Sequence, residues 1–194
     1  MARPVEFEYD KVLNNAMGQF WKEGYEASSV QKLLDVTGIN RGTLYNSFGD
    51  KDTFFKSCVE KYNGQLKANM DATLGDDKLA AAKAIDAYFD SLIKAPNKQR
   101  ALGCLLVNSV CESINWDKDI QKLVRASLNN IRKALLVRTK QLEKSRKLAR
   151  GLKADKAADQ LMSLYFGLQV NARNGKGPAQ LAEQVAFVLG AISK

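Results

Sequence analysis

Apolar positions recur every three or four residues along almost the whole chain, and no stretch of any length alternates as a strand would. Leu13, Ala16, Met17, Phe20 and Trp21 predict a first helix with one buried face. Val30, Leu33, Leu34 and Thr37 predict a short second one. Ser28 can cap its start, Gln31 three residues on completes a capping box, and Gly38 suits its stop. Ile39 plugs the gap to a third helix, Arg41 to Phe48, capped by Asn40 and facing inward through Leu44 and Phe48. Gly49-Asp50 ends that helix and opens a long one reaching about Met70, with Phe54, Phe55, Cys58, Val59 and Tyr62 inward.

The same spacing continues downstream. Asp76 or Asp77 opens a helix with Leu79, Ile85, Tyr88, Phe89 and Leu92 inward, ended before Pro96. Leu102 to Ile114 is short and strongly apolar. Asp117 opens a long amphipathic helix carrying Ile120, Val124, Ile131 and Leu135, broken by Gly151. Two last helices flank Asn174-Gly-Lys-Gly-Pro178, one with Leu161, Leu164, Tyr165 and Leu168, the other with Leu181, Val185, Val188 and Leu189. The expected fold is all-α, about nine helices. A three-helix helix-turn-helix unit spans residues 1–49, and a larger helical unit spans 50–194.

The two short helices and tight turn of residues 28–51 form the layout of a helix-turn-helix DNA reader. Arg41, Thr43, Asn46 and Ser47 lie off the inward face of the second short helix. Arg pairs bidentately with guanine, Asn with adenine, and the Thr methyl meets the thymine methyl. Tyr45 and Lys51 suit phosphates, which position a protein without specifying sequence.

The run GINRGTLYNSFGDKDTFF is similar to the N-terminal motif of TetR/AcrR-family transcriptional regulators, through Gly38, Ile39, Gly42, Thr43, Leu44, Tyr45, Phe48, Lys51 and Asp52. Phe20, Gly24 and Tyr25 stand where that family ends its first helix. A departure is Leu34-Asp35, where the family carries Ile-Ala or Leu-Ala, so packing at the helix crossing is expected to differ. The resemblance implies a homodimer whose recognition helices enter successive major grooves of a near-palindromic operator. It places DNA contacts on Gln31, Arg41, Thr43, Tyr45, Asn46 and Lys51. It also implies pairing of the last two helices with their copies, for which Leu161, Leu164, Leu168, Val185 and Leu189 are the candidate interface.

An effector pocket inside the helical body is implied by the same resemblance. The best candidate wall is 102–112, with Gly103 allowing close approach and Asn108, Ser109 and Glu112 polar in an apolar stretch. Cys104 and Cys111 are seven apart, hence expected on nearly one face. The Gly-Cys-Leu-Leu-x-Asn pattern resembles a subgroup of the family that senses electrophiles through cysteine. Cys104 is therefore either a sensor thiol or a small inert core residue. Arg100 lies one turn before it. Tyr88, Phe89, Trp116, Tyr165 and Phe166 either line the pocket or fill the core. The candidate effector residues are thus Cys104, Asn108, Cys111, Glu112, Tyr88 and Tyr165.

Composition narrows the function further. The chain of 194 residues has no histidine, which removes His-based acid–base and triad chemistry and most zinc sites. Ser91/Lys94 and Ser29/Lys32 satisfy S-x-x-K only as chance hits, and Gly175-Lys176-Gly177 lacks a phosphate-loop context. No enzyme, cofactor or metal is expected. Three cysteines far apart make no disulfide framework, and the polar, acidic start MARPVEFEYD is no secretory signal. No run approaches the ~20 apolar residues of a membrane span. The chain is accordingly expected in the cytoplasm.

The net charge of +9 sits outside the reader. Residues 1–50 hold five basic and seven acidic residues, whereas 117–153 hold twelve and three. That segment reads as a solvated helix face, or more weakly as a basic lining for an anionic ligand. Together these readings point to a ligand-responsive homodimeric repressor bound to double-stranded operator DNA. A TetR-type activator, or a small-molecule-binding helical protein with no transcriptional role, remains open.

Overall fold

The computed structural model describes residues 8–113 and 116–193. Among these there are nine helices of two turns or more, one single helical turn, and no strand beyond an isolated bridge between Leu148 and Ser193. They run α1 (Tyr9–Glu23), α2 (Val30–Thr37), α3 (Arg41–Phe48), α4 (Lys51–Ala72), α5 (Ala81–Ile93), the single turn α6 (Asn97–Arg100), α7 (Leu105–Glu112), α8 (Lys118–Lys144), α9 (Ala154–Arg173) and α10 (Pro178–Ile192).

Local chemistry sets the N-terminal unit. Gly38 takes the left-handed conformation (φ 72°) and closes α2 through its N–H to the Leu34 carbonyl at 2.8 Å. Asn40 caps α3 by accepting from Thr43 N–H at 2.8 Å, and Asp50 caps α4 from Thr53 N–H at 2.7 Å. The cap of α2 is Ser29 rather than Ser28: Ser29 Oγ accepts from Lys32 N–H at 3.3 Å. Ser28 is buried and turns back to donate to the Gly24 carbonyl at 2.6 Å, so it fastens the α1–α2 turn instead. Leu34, the residue flagged at the helix crossing, packs half-buried against the core.

α1 lies across α2 and the long α4, with Leu13, Ala16, Met17, Phe20 and Trp21 all buried. Phe20 sets its ring edge against Phe55 with centroids 4.9 Å apart, and the Phe48 and Phe54 rings, tilted by 31°, lie 4.2 Å apart. These contacts make α4 part of both the reader's core and the body's. In the body, α8 packs along α9, α10 against α9 and α5, and α7 bridges α1, α4, α8 and α9.

Three expected boundaries move. The helix expected to open at Asp76 or Asp77 opens at Ala81, because Asp76 caps a turn instead, accepting from Lys78 N–H at 2.9 Å. α7 starts at Leu105, since Gly103 takes φ 68° and breaks the backbone before it; Ile114, at the expected end, lies outside the described residues. α8 stops at Lys144, well before Gly151, where Arg146 takes φ 55° and the chain turns to meet Ser193.

Candidate nucleic-acid interface and effector cavity

α3 presents one face to the core and one to solvent. Leu44 and Phe48 are buried, while Arg41, Tyr45 and Asn46 are exposed and Thr43 is half-exposed. The side chains of Arg41 and Asn46 hold no hydrogen bond or ion pair among the described residues, so their donors are uncommitted. Gln31 is exposed on α2, with its amide donating to Asp35 at 2.9 Å. Lys51 opens α4, where first-turn N–H groups and the helix dipole favour an anion. Its ammonium sits 4.2 Å from the centroid of the Tyr25 ring. Burial against that ring pushes its pKa down. The Tyr25 hydroxyl donates to Asp52, and burial together with that carboxylate pushes the phenol's pKa up, so it remains a donor.

Beyond its contacts with α4, the reader is tied to the rest of the body through three side chains, Glu112, Arg173 and Trp21, in roles not expected of them. Glu112 accepts from the N–H groups of Tyr25 at 3.0 Å and Glu26 at 3.4 Å. The approach is so close that a Cβ on Gly24 (φ 86°) would fall 2.1 Å from the Glu112 carboxylate, so only glycine fits there. Arg173, in the last turn of α9, donates to the carbonyls of Trp21 at 3.1 Å, Lys22 at 3.0 Å and Leu102 at 2.9 Å. It thereby satisfies the otherwise open carbonyl end of α1. Trp21 Nε1 donates to the Gly103 carbonyl at 3.1 Å.

A cavity of about 280 Å³ lies directly beneath this seam. Trp21 of α1 forms part of its wall, with Tyr62 of α4, Ser91 of α5, Arg100, Gly103 and Tyr165 of α9. A larger groove of about 560 Å³ between α4 and α8 touches no residue of the reader.

Of the candidate effector residues, the fold brings three together. Cys104 is fully buried, and the Tyr165 hydroxyl donates to its Sγ at 3.1 Å. Burial raises the phenol pKa of Tyr62 and Tyr88, and the Tyr88 hydroxyl, fully buried, has no hydrogen-bond partner among the described residues. Tyr62 was not among the expected site residues; its spacing with Phe55 and Val59 marked it only as core. Tyr165 and Tyr62 line the cavity, whereas Cys104 and Tyr88 stand behind them.

The other three candidates go elsewhere. Asn108 donates to the Leu102 carbonyl at 3.0 Å and locks the turn before α7. Glu112 clasps the reader. Cys111 is exposed and does not share a face with Cys104. Helical spacing does not relate the two, because Cys104 is the extended residue (φ −109°, ψ 128°) preceding α7. Arg100 points not at the thiol but at the carbonyls of Ile93 and Ala95. Among the aromatic candidates, Trp116 packs on Tyr25 at 4.7 Å, Phe89 on Tyr88 at 5.5 Å, and Phe166 is partly exposed. Cys58 is packing: burial drives its thiol pKa up.

The candidate interface also needs correcting. Leu161, Leu164, Leu168 and Val185 are buried in the chain's own core, and Leu189 is half-buried against it. α9 and α10 each carry a second apolar face. α10 exposes Phe187 at 79%, and α9 exposes Val170 at 53% and Phe166 at 37%; Gly190 and Gly167 are exposed on the same two helices.

Residues 12–58, which hold α1 to α3 and the start of α4, match the family model of bacterial regulatory proteins of the tetR family. Over these residues the chain carries the tetR-family regulatory domain. It is similar to the HTH-type transcriptional repressor ComR of Escherichia coli (strain K12), 28% identical over 188 residues that cover 93% of this chain and 87% of that protein. The TetR-family fold extends through the body. A regulatory protein TetR from Rhodobacter sphaeroides superposes with a TM-score of 0.86 at 16% identity, covering 95% of this chain and 98% of that one. A cysteine mutant of the TetR-family regulator CifR, complexed with a 26-bp double-strand operator DNA, superposes with a TM-score of 0.85 at 23% identity, covering 98% and 100%. No helix among the described residues is long and apolar enough to cross a membrane.

Proposed function

We propose that this protein is a cytoplasmic, homodimeric transcriptional repressor that holds a palindromic operator until a small molecule enters the cavity beneath the reader. Residues 1–49 act as the reader and 50–194 as the effector and dimerisation unit. The observation that carries the reading is the solvent face of α3, where Arg41, Tyr45 and Asn46 stand exposed and the side chains of Arg41 and Asn46 have no partner among the described residues. Resemblance to a repressor along almost the full chain supports the sign of the regulation. In this reading two copies join through the exposed Phe166, Val170 and Phe187, and the operator spacing expected of their two readers is about one DNA turn.

Arg41 reads a base edge, Asn46 a second, and Tyr45, Lys51 and the first N–H groups of α2 and α4 hold phosphates. The bond from Gln31 to Asp35 sets Gln31 as a contact through its remaining amide atoms. Because Trp21 belongs both to the reader and to the cavity wall, an occupant of the cavity presses on α1 itself. A hundredfold release needs about 2.7 kcal/mol of preference for the released state. Arg41→Ala is expected to cost about 1–3 kcal/mol on the operator and to relax selectivity at one position. Fluorescence anisotropy against operator and scrambled DNA reads this directly; equal losses on both would remove Arg41 as a base reader.

A covalent form of the same response is favoured by one contact, the Tyr165 hydroxyl on Cys104 Sγ at the back of the cavity wall. Its test is a quinone added to the operator complex of Cys111→Ser, which removes the exposed thiol, with and without Cys104→Ser. Release that persists after both substitutions sinks the covalent form.

A further inference from the structure

The cavity wall has a chemical bias. Arg100 is the one charged side chain on it among the described residues, and no carboxylate lines it. The rest is aromatic (Trp21, Tyr62, Tyr165), aliphatic or neutral polar. Trp21 and Tyr62 meet edge to face at 5.0 Å, giving the cavity a flat, rigid apolar side.

The Arg100 guanidinium is fixed before any ligand arrives. Nη1 donates to the carbonyls of Ile93 at 3.2 Å and Ala95 at 3.0 Å, and Nη2 donates to Asn97 Oδ1 at 2.9 Å. A guanidinium carries five N–H donors, so Nε–H and one hydrogen of Nη2 stay uncommitted among the described residues. Two donors on neighbouring nitrogens of a planar fork match the two oxygens of a carboxylate. All three accepting oxygens are neutral, and among the described residues the positive charge has no counter-ion; the acids on the adjoining helix α5, Asp86 and Asp90, are exposed, and Asp90 pairs with Lys94 at 2.7 Å. A cation entering the same space would meet that charge with nothing to offset it.

Size sets the second limit. A volume of about 280 Å³ equals roughly nine waters at liquid density, which suits a ligand of about that many heavy atoms. It falls below the span of pockets that hold drug-sized ligands.

We propose that the cavity binds a small aromatic carboxylate, its ring against Trp21, Tyr62 and Tyr165 and its carboxylate on Arg100. This rests on the regulator reading and names the class of its effector. Binding draws on Trp21, so the anion acts on the reader through the side chain that also holds the Gly103 carbonyl.

The test uses the full chain and three probes of one size: benzoate, benzyl alcohol and benzylamine, each to about 10 mM, the range where millimolar ligands register. Thermal melting is recorded for each, with operator anisotropy in parallel. Benzoate in tenfold excess over its Kd is expected to raise Tm by about 3–6 °C, and benzylamine to leave it unchanged. Arg100→Gln is expected to weaken benzoate by about tenfold or more. Since Arg100 also holds two backbone carbonyls, Ser91→Leu serves as a second variant: it fills the cavity, keeps the guanidinium, and is expected to abolish the benzoate shift. Stabilisation by benzylamine as strong as by benzoate overturns the proposal, as does no response to benzoate at all, or benzoate binding untouched in Ser91→Leu. Failure of the unliganded protein to select operator over scrambled DNA sinks the regulator reading instead, whatever benzoate does.

Discussion

Trp21→Ala is expected to destabilise the protein by about 3–5 kcal/mol, a fall in Tm of roughly 6–20 °C. The indole is buried in α1, meets Tyr62 edge to face at 5.0 Å and donates to the Gly103 carbonyl at 3.1 Å. Removing it merges its volume with the adjoining cavity and leaves that carbonyl short of a donor. The seam loses one of its three ties, while Glu112 and Arg173 keep the other two. Operator affinity is therefore expected to fall even at temperatures where the body stays folded. Calorimetry and anisotropy on the same preparation check both halves. A loss under about 1 kcal/mol would mean that Trp21 packs without bracing the reader.

The second large effect is expected from Phe187→Glu, which should leave a folded monomer whose operator affinity is more than about a hundredfold weaker. Phe187 is 79% exposed in the isolated chain, so the substitution removes nothing from its core. Exposed large apolar side chains of this kind suit an association surface, and a carboxylate forced into one stays uncompensated. A monomer engages one half-site and forfeits the gain from linking two, about 10²–10⁴. Sedimentation read beside anisotropy separates the outcomes: a Phe187→Glu dimer of unchanged stability would put the interface on another face.

Much of the reader was legible residue by residue, because its geometry is enforced by local chemistry. Gly38, Asn40 and Asp50 do in the fold what their types suggest, and Leu44 and Phe48 fall inward by spacing alone. Ser28 and Ser29 were not separable this way: two adjacent serines offer the same cap, and only the turn at Gly24 decides which is free to use it. Cys104 and Cys111 were paired by a periodicity that applies within a helix, whereas α7 begins one residue after Cys104.

The proposed dimer face illustrates a different limit. α9 and α10 have apolar residues on two sides, and periodicity cannot rank two apolar faces of one helix by burial. The aliphatic rows of Leu161, Leu164 and Leu168 went to the core, leaving Phe166 and Val170 outside. The seam was invisible for a third reason. Glu112 meets the turn after α1, and Arg173 the end of α1, across separations of about ninety and one hundred and fifty residues, and nothing in their own neighbourhoods marks them.

The most direct test of the central claim is anisotropy binding of the full chain to the DNA upstream of its own gene, beside a scrambled duplex at the same salt. Binding about 10³-fold tighter or more to the native duplex, lost in Arg41→Ala, is the expected result. Equal affinity for the two duplexes would contradict it, leaving a TetR-family fold that binds small molecules without reading DNA.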